Sequence, residues 1–323
     1  MHIGVPAETR LHEARVAATP ETVKKYVSQG HRVTVQRGAG IAASFTDEAL
    51  AASGAELADA VTALNADLVL KVQSPTESEL AWMKRGAVLV GMLDPFNEQN
   101  RARLAEAGVT AFALEAAPRT TRAQSLDVLS SQANIAGYKA VLLAADLYPR
   151  FMPMLMTAAG TVKAARVLIL GAGVAGLQAI ATAKRLGAVI EASDVRPAVK
   201  EQIESLGGKF LDVPYETQEE RDAAEGVGGY ARPMPLSWLT RQAAAVHERA
   251  KAADIVITTA LIPGRDAPML LSSETVQAMR PGSVIVDLAA GRGTELAGMP
   301  GVRGGNCPLT EPDKVVTKYG VTI

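Results

Sequence analysis

The sequence predicts an α/β protein built of two doubly wound parallel-sheet domains, the second a Rossmann dinucleotide-binding domain. Three observations predict it. Short apolar runs alternate with helical patterns along most of the chain, as strand–helix–strand units of a parallel sheet do. Gly171, Gly173 and Gly176 stand in G-x-G-x-x-G spacing directly after the apolar run Val167-Leu168-Ile169-Leu170. Asp194 ends a second strand-like stretch about 20 residues further on, where a ribose-binding acid belongs.

The 323 residues suit two domains, each able to bury its own core. A net charge of -1 gives no electrostatic footprint for nucleic acid. Cys307 is the single cysteine, which excludes an internal disulfide and a multi-cysteine metal site, and a buried thiol is its simplest reading. His2, His12, His31 and His247 show no ligand spacing, so no metal is expected. The first residues have neither a basic region nor a long apolar stretch, and no apolar run is long enough to span a bilayer. A cytoplasmic location is the expectation.

The elements follow in order. Residues 2–6 read as a strand, and Thr19-Pro20-Glu21 opens a helix with a cap and a proline in its first turn. Gly30 closes that helix, and residues 31–36 alternate as a strand does. Strands are expected at 68–72, 87–93 and 109–114, with helices near 76–85 and 97–108 between them. The first domain, residues 1–130, is therefore α/β but lacks the glycine fingerprint. Residues 131–149 read as an interdomain helix carrying Ala136, Ala140, Leu142, Leu143 and Ala145. The Rossmann domain occupies 150–310, with further strands at 254–259 and 283–288. Residues 226–230, Gly-Val-Gly-Gly-Tyr, have little periodicity and read as a long mobile loop.

Each glycine of the motif does something a side chain would prevent. Gly171 allows the sharp turn out of the strand, Gly173 admits the cofactor diphosphate, and Gly176 lets helix and strand pack closely. The diphosphate then meets free N–H groups at a helix N-terminus, with the helix dipole behind them. The Asp194 carboxylate accepts from the ribose hydroxyls and repels a 2′-phosphate, which favours NAD over NADP. Arg196, two residues on, works the other way, because an arginine accommodates that phosphate.

Two such domains are expected to form a cleft lined by polar residues at strand ends. Lys71 interrupts an apolar strand, and Arg15 follows the first one. Arg119, Gln124 and Asp127 lie in the polar run 119–127, placed to touch a nicotinamide. Plainer readings stand beside these. Lys71 could snorkel to the surface, the 119–127 run could be a solvated loop, and Asp127 and Ser130 could merely cap the following helix.

At these residues the sequence resembles the alanine dehydrogenase and pyridine-nucleotide transhydrogenase superfamily. The likeness is carried by Gly4-Val5-Pro6, Arg15-Val16-Ala17, Lys71-Val72, Gly171-Ala172-Gly173-Val174-Ala175-Gly176 and Ala192-Ser193-Asp194-Val195-Arg196. Within it, the run from Arg122 to Gln132 resembles the NAD(H)-binding component of proton-translocating transhydrogenase. Gly228-Gly229-Tyr230-Ala231, Thr259-Ala260-Leu261-Ile262-Pro263-Gly264 and Gly305-Asn306-Cys307-Pro308-Leu309-Thr310 extend the match.

The resemblance implies that Arg119, Gln124 and Asp127, with Ser130 beside them, hold the dihydronicotinamide. It implies that Tyr230 tips a loop closing over bound NAD(H), and that Gly228, Val174, Ala175, Val195 and Ala260 line the cofactor. Alanine dehydrogenases carry a catalytic histidine after the strand ending at Leu93, and this chain has Asp94 there. Family members run on past the segment matching Val321-Thr322-Ile323 and return to the first domain. Residues 310–323 are the candidate for completing that domain here.

The implied function is an oxidoreductase component that passes hydride from NADH to NADP held on a partner component. Its partners would be that NADP-binding component and a membrane-spanning one, placing it at the inner membrane without a span of its own. It would act as a homodimer, in a complex that translocates protons. The alternatives are an amino-acid dehydrogenase of the alanine type, using Arg15 and Lys71, and a non-catalytic NAD-binding module.

Overall fold

The computed structural model describes residues 1–323 apart from 119, 226–231, 262–263 and 297–298. The chain divides into two compact units, Met1–Leu129 and Ser130–Ile323. Each is built on a mostly parallel sheet with helices in the connections, the fold class that strand–helix alternation demands.

In the first unit the strands lie in the order Glu56–Ala58, Arg32–Gln36, His2–Val5, Leu68–Gln73, Val88–Met92, Thr110–Ala113. All five pairings are parallel. The order reverses between His2–Val5 and Leu68–Gln73, so the connections after those strands run in opposite directions. The helix Pro20–Ser28 starts where the sequence predicts: the Thr19 side chain accepts from the Thr22 amide, and Pro20 fills the first position.

The second unit carries a seven-stranded sheet. Its order is Lys209–Phe210, Val189–Ser193, Arg166–Leu170, Ile255–Thr258, Val284–Asp287, Val321–Thr322, Thr317–Lys318. Along Arg166–Leu170 the side chains alternate faces: Val167 and Ile169 join one apolar cluster, Leu168 and Leu170 the other. A strand buried on both faces explains the unbroken apolar run, and each such side chain contributes ~1.5–3 kcal/mol of burial. The helix Val174–Arg185 follows the glycine turn and returns the chain to the sheet.

The C-terminal residues depart from expectation. Val321–Thr322 pairs in parallel with Val284–Asp287, and Thr317–Lys318 folds back against it antiparallel. Val321 and Ile323 are buried with Val256, Ile285 and Cys307. Residues 317–322 therefore extend the second sheet and do not complete the first, because their apolar side chains find a core there.

The long helix runs Val128–Leu147, three residues ahead of its expected start at 131. Ser130 thus sits within its first turn, and Asp127 is the residue before it. Gly137, inside this helix, marks a close crossing. A Cβ there would overlap the Ala175 carbonyl oxygen and lie 2.8 Å from its carbon. Asn134 Nδ2 donates to Gln178 Oε1 at 3.2 Å across the same contact. The helix carrying Ser130 is in this way braced on the helix that opens at the glycine turn.

Candidate functional site

The glycine turn lies where the second sheet reverses direction, between Arg166–Leu170 and Ile255–Thr258. Gly171 adopts φ +97, a conformation side-chain-bearing residues avoid, and a Cβ there would lie 2.6 Å from Thr259 Oγ1. Gly173 precedes the helix without any side-chain cap, and a Cβ on it would meet only Arg196 Nη2, at 4.0 Å. That flank is open, and the amides of the first helical turn point to it. Gly176 is the opposite case: a Cβ would overlap the Gly171 carbonyl oxygen and lie 2.9 Å from its carbon. The turn at Gly171 and the close packing at Gly176 are thus the geometries expected from the spacing, and Gly173 leaves its flank open. Such a cradle fits a dinucleotide diphosphate, held by backbone N–H groups without a side chain in the way. Val174, 39 % exposed, and half-buried Ala175 begin the helix at that flank.

The acid is already engaged. Asp194 Oδ2 accepts from the Ala172 amide at 2.7 Å and from Arg196 Nη2 at 2.9 Å. Its Oδ1 accepts from the Arg196 amide and from Arg196 Nε, both at 2.9 Å. The Ala172 bond ties the acid's strand to the glycine turn. Val195 contributes its carbonyl, which accepts from the Tyr215 hydroxyl at 2.8 Å, and Tyr215 stacks on Trp238. Burial, then the nearby Asp212 and Asp194 carboxylates, push the Tyr215 hydroxyl pKa up.

Ala260 follows the neighbouring strand and is held by a residue the sequence reading left without a role. The Ala260 amide donates to Asn306 Oδ1 at 3.0 Å, and Asn306 Nδ2 donates back to the Ala260 carbonyl at 2.9 Å. Thr259 Oγ1 donates to the Gly171 carbonyl at 2.9 Å, joining this strand end to the glycine turn. Beneath them, Asp287 accepts from Thr258 Oγ1, Thr310 Oγ1 and the amides of Ala289 and Cys307. Asp287 ends an apolar strand at its carboxyl edge, and that polar residue in that place was the available signal. Cys307 is fully buried and its thiol is pushed up to about 11 by that burial, so it is inert at neutral pH.

Gln124 is exposed on the turn Thr121–Leu126, whose Gln124 carbonyl accepts the Asp127 amide at 3.2 Å. Asp127 and Ser130 are half-buried, and each has an interaction partner. Arg119, Gly228 and Tyr230, together with the expected mobile loop around 226–230, lie outside the described residues. Among the described residues no group of His, Cys, Asp and Glu could hold a metal ion, and no helix is long and apolar enough to cross a membrane.

In the first unit, Lys71 does not reach the surface. Its ammonium is buried 2.8 Å from Glu79 Oε1 and 3.5 Å from Glu8 Oε2. Glu8 also accepts from the amides of Val72 and Gln73. Burial works against ionisation of Glu79, but hydrogen bonds from Lys71 and the Thr76 amide override it and hold its pKa below the usual value. Arg15 grips Glu13 with Nε and Nη2 at 2.7 and 2.6 Å. That grip, chiefly, brings the Glu13 carboxyl from 4.5 down to about 2, with Gln73 adding to it against the cost of burial. The Glu13 contribution to stability is therefore complete above pH 4.5 and drains away between pH 4.5 and 2. Thermal midpoints should fall across that acid window, and the fall should be shallower in Glu13→Gln; parallel curves would show that Glu13 adds nothing. At the end of the same sheet, Asp94 takes φ +50 and its amide donates to Glu115 Oε1.

Residues 4–136 match the family described as Alanine dehydrogenase/PNT, N-terminal domain, and residues 140–323 match its C-terminal domain. The chain is 52% identical over 331 aligned residues to an NAD(P) transhydrogenase subunit alpha chain of Rhodospirillum rubrum, covering 100% of this chain and 83% of that one. The crystal structure of transhydrogenase from Sinorhizobium meliloti superposes with a TM-score of 0.87 at 46% identity, covering 100% and 84%. Alanine dehydrogenase of Bacillus subtilis is more distant, 33% identical over 91% of this chain and 71% of its own.

Proposed function

The chain belongs to the alanine dehydrogenase/PNT family, and from that premise we propose that it is the NAD(H)-binding component of a transhydrogenase, working with partner subunits. The observation that carries the reading is the cradle of Gly171, Gly173 and Gly176 tied to Asp194, in a chain that matches 83% of a transhydrogenase alpha chain along all of its own length. The second unit would be the nucleotide domain.

Bound dihydronicotinamide supplies the hydride itself, so the residues of this chain need only bind, orient and exclude water. The helix N-terminus after Gly173 would hold the diphosphate. Asp194, with Val195 beside it, would take the adenosine ribose and favour NAD(H) over NADP(H), while Arg196 works the other way. Arg119, Gln124, Asp127 and Ser130 would fix the nicotinamide ring, and Gly228 and Tyr230 would cover it. The acceptor, NADP, would sit on a partner component, and proton translocation would belong to a membrane-spanning one that holds this chain at the inner membrane. A homodimer fits the apolar surface of the long helix, where Ile135, Tyr138 and Leu143 are 59%, 49% and 44% exposed.

An amino-acid dehydrogenase is disfavoured by the same geometry. Arg15 and Lys71, the groups that would take a substrate carboxylate and carbonyl, are gripped by Glu13, Glu79 and Glu8. Asp94 stands where alanine dehydrogenases are expected to carry a proton-transferring histidine, and a carboxylate is poorly matched to that task near neutral pH. The deciding experiment mixes the purified chain with an NADP-binding transhydrogenase component. Nucleotide-to-nucleotide hydride transfer should appear only in the mixture. Oxidation of NADH by pyruvate and ammonium with the chain alone, at about 1–1000 per second, would overturn the assignment.

A further inference from the structure

We propose that Arg196 is a specificity-determining residue that occupies the ribose-binding positions of Asp194 and must be displaced when the cofactor binds. The inference rests on the NAD(H) reading above. A carboxylate offers about four acceptor positions. All four are used here: two by the amides of Ala172 and Arg196, two by the Arg196 side-chain atoms Nε and Nη2. The two amide bonds are set by the backbone and are unaffected by side-chain rotation. The two guanidinium bonds are not. A vicinal ribose diol brings two O–H donors, the number the guanidinium fork would vacate. The same carboxylate cannot accept all six donors, so ribose and the fork compete for it.

The location of the guanidinium supports an exchange over a static support role. Its side chain is 26% exposed while that of Asp194 is 6% exposed, so the arginine is the outer member of the pair. Its Nη2 also lies 4.0 Å from where a Cβ on Gly173 would stand, beside the place the diphosphate would take. A planar, permanently charged fork suits both a carboxylate and a phosphate. With Arg196 folded on it, Asp194 carries little uncompensated charge, and a 2′-phosphate meets a neutral pair instead of a bare anion. Discrimination against NADPH is then weaker than the acid by itself would impose.

The test compares NADH and NADPH binding by direct titration in the parent chain, Arg196→Met and Arg196→Lys, with the thermal midpoint of each recorded. Contacts to the diphosphate are common to both nucleotides and cancel in the ratio of their dissociation constants. Arg196→Met should keep NADH binding within about threefold, since the competitor is gone. NADPH binding should weaken until the ratio widens about tenfold or more, the size of one pKa unit of charge interaction. Arg196→Lys, a point charge without a fork, should fall between parent and Met variant. An unchanged or narrowed ratio in Arg196→Met would overturn the proposal. So would loss of NADH binding in that variant while its thermal midpoint holds, because Arg196 would then be a ligand and not a competitor. Failure of the parent chain to bind NADH at all would instead defeat the NAD(H) reading itself. If Arg196→Met proves unstable, the Lys variant carries the same comparison, and a ratio equal to the parent's would count against the proposal.

Discussion

Gly176→Ala is expected to weaken NADH binding by more than about 100-fold, roughly 2.7 kcal/mol. The added methyl would overlap the Gly171 carbonyl oxygen, with the carbonyl carbon 2.9 Å away. Both neighbours are backbone, so no side chain can rotate aside. The helix Val174–Arg185 must move off the turn, carrying with it the amides that would hold the diphosphate. Overpacking of this kind costs about 1–3 kcal/mol of stability, a loss that leaves a domain of this size folded. The companion variant separates crowding from access. At Gly173 a Cβ meets nothing nearer than Arg196 Nη2 at 4.0 Å, so Gly173→Ala should leave the thermal midpoint unchanged. Its methyl would still stand on the diphosphate face, and affinity should drop. Calorimetric titration of both variants decides the matter. Parent-like NADH affinity in Gly173→Ala would mean that the diphosphate lies elsewhere.

The second large effect concerns transfer rather than binding. Gln124→Asn should leave NADH affinity within about tenfold of the parent, a change under roughly 1.4 kcal/mol, because the proposed diphosphate and adenosine contacts would reside in the second unit. Hydride transfer in the reconstituted system should fall by about 100-fold, since donor–acceptor geometry tolerates little misplacement. Gln124 is exposed on its turn, and its backbone carbonyl serves the local structure by accepting the Asp127 amide. Shortening the side chain by one methylene therefore leaves the turn intact. Stopped-flow transfer rates beside equilibrium titrations make the comparison. An unchanged rate would reduce the 119–127 run to a solvated loop before a helix, and the preference for a transhydrogenase component would lose its support.

Much of this was legible in the chain, and the legible part has a common cause. Strand and helix periodicity, the Thr19 cap with Pro20 behind it, and the glycine spacing are local properties. Each depends on residues within a few positions of one another, whose backbone preferences act before any tertiary contact forms. Two doubly wound sheets follow from alternation, and the diphosphate cradle follows from where side chains are missing. Asp194 follows as well, because a strand of ordinary length after a helix of ordinary length must end near the turn that preceded them.

What the tertiary structure decided is which polar atoms meet. Asn306 reaches Ala260 across 46 residues, and Asp287 reaches Thr310 across 23, through a strand order no periodicity encodes. Lys71 looked like a cleft residue or a snorkelling one, yet two glutamates from separate segments meet it inside the fold. A buried charge goes where its counter-charge is, and the sequence does not state that distance. Residues 317–322 were free to join either sheet until Val321 and Ile323 found apolar neighbours in the second. Arg196 and Asp194 are two positions apart and were both read as ribose-site residues. That the fork of one fills the oxygens of the other is a matter of rotamer and geometry, which the order of the residues leaves undetermined.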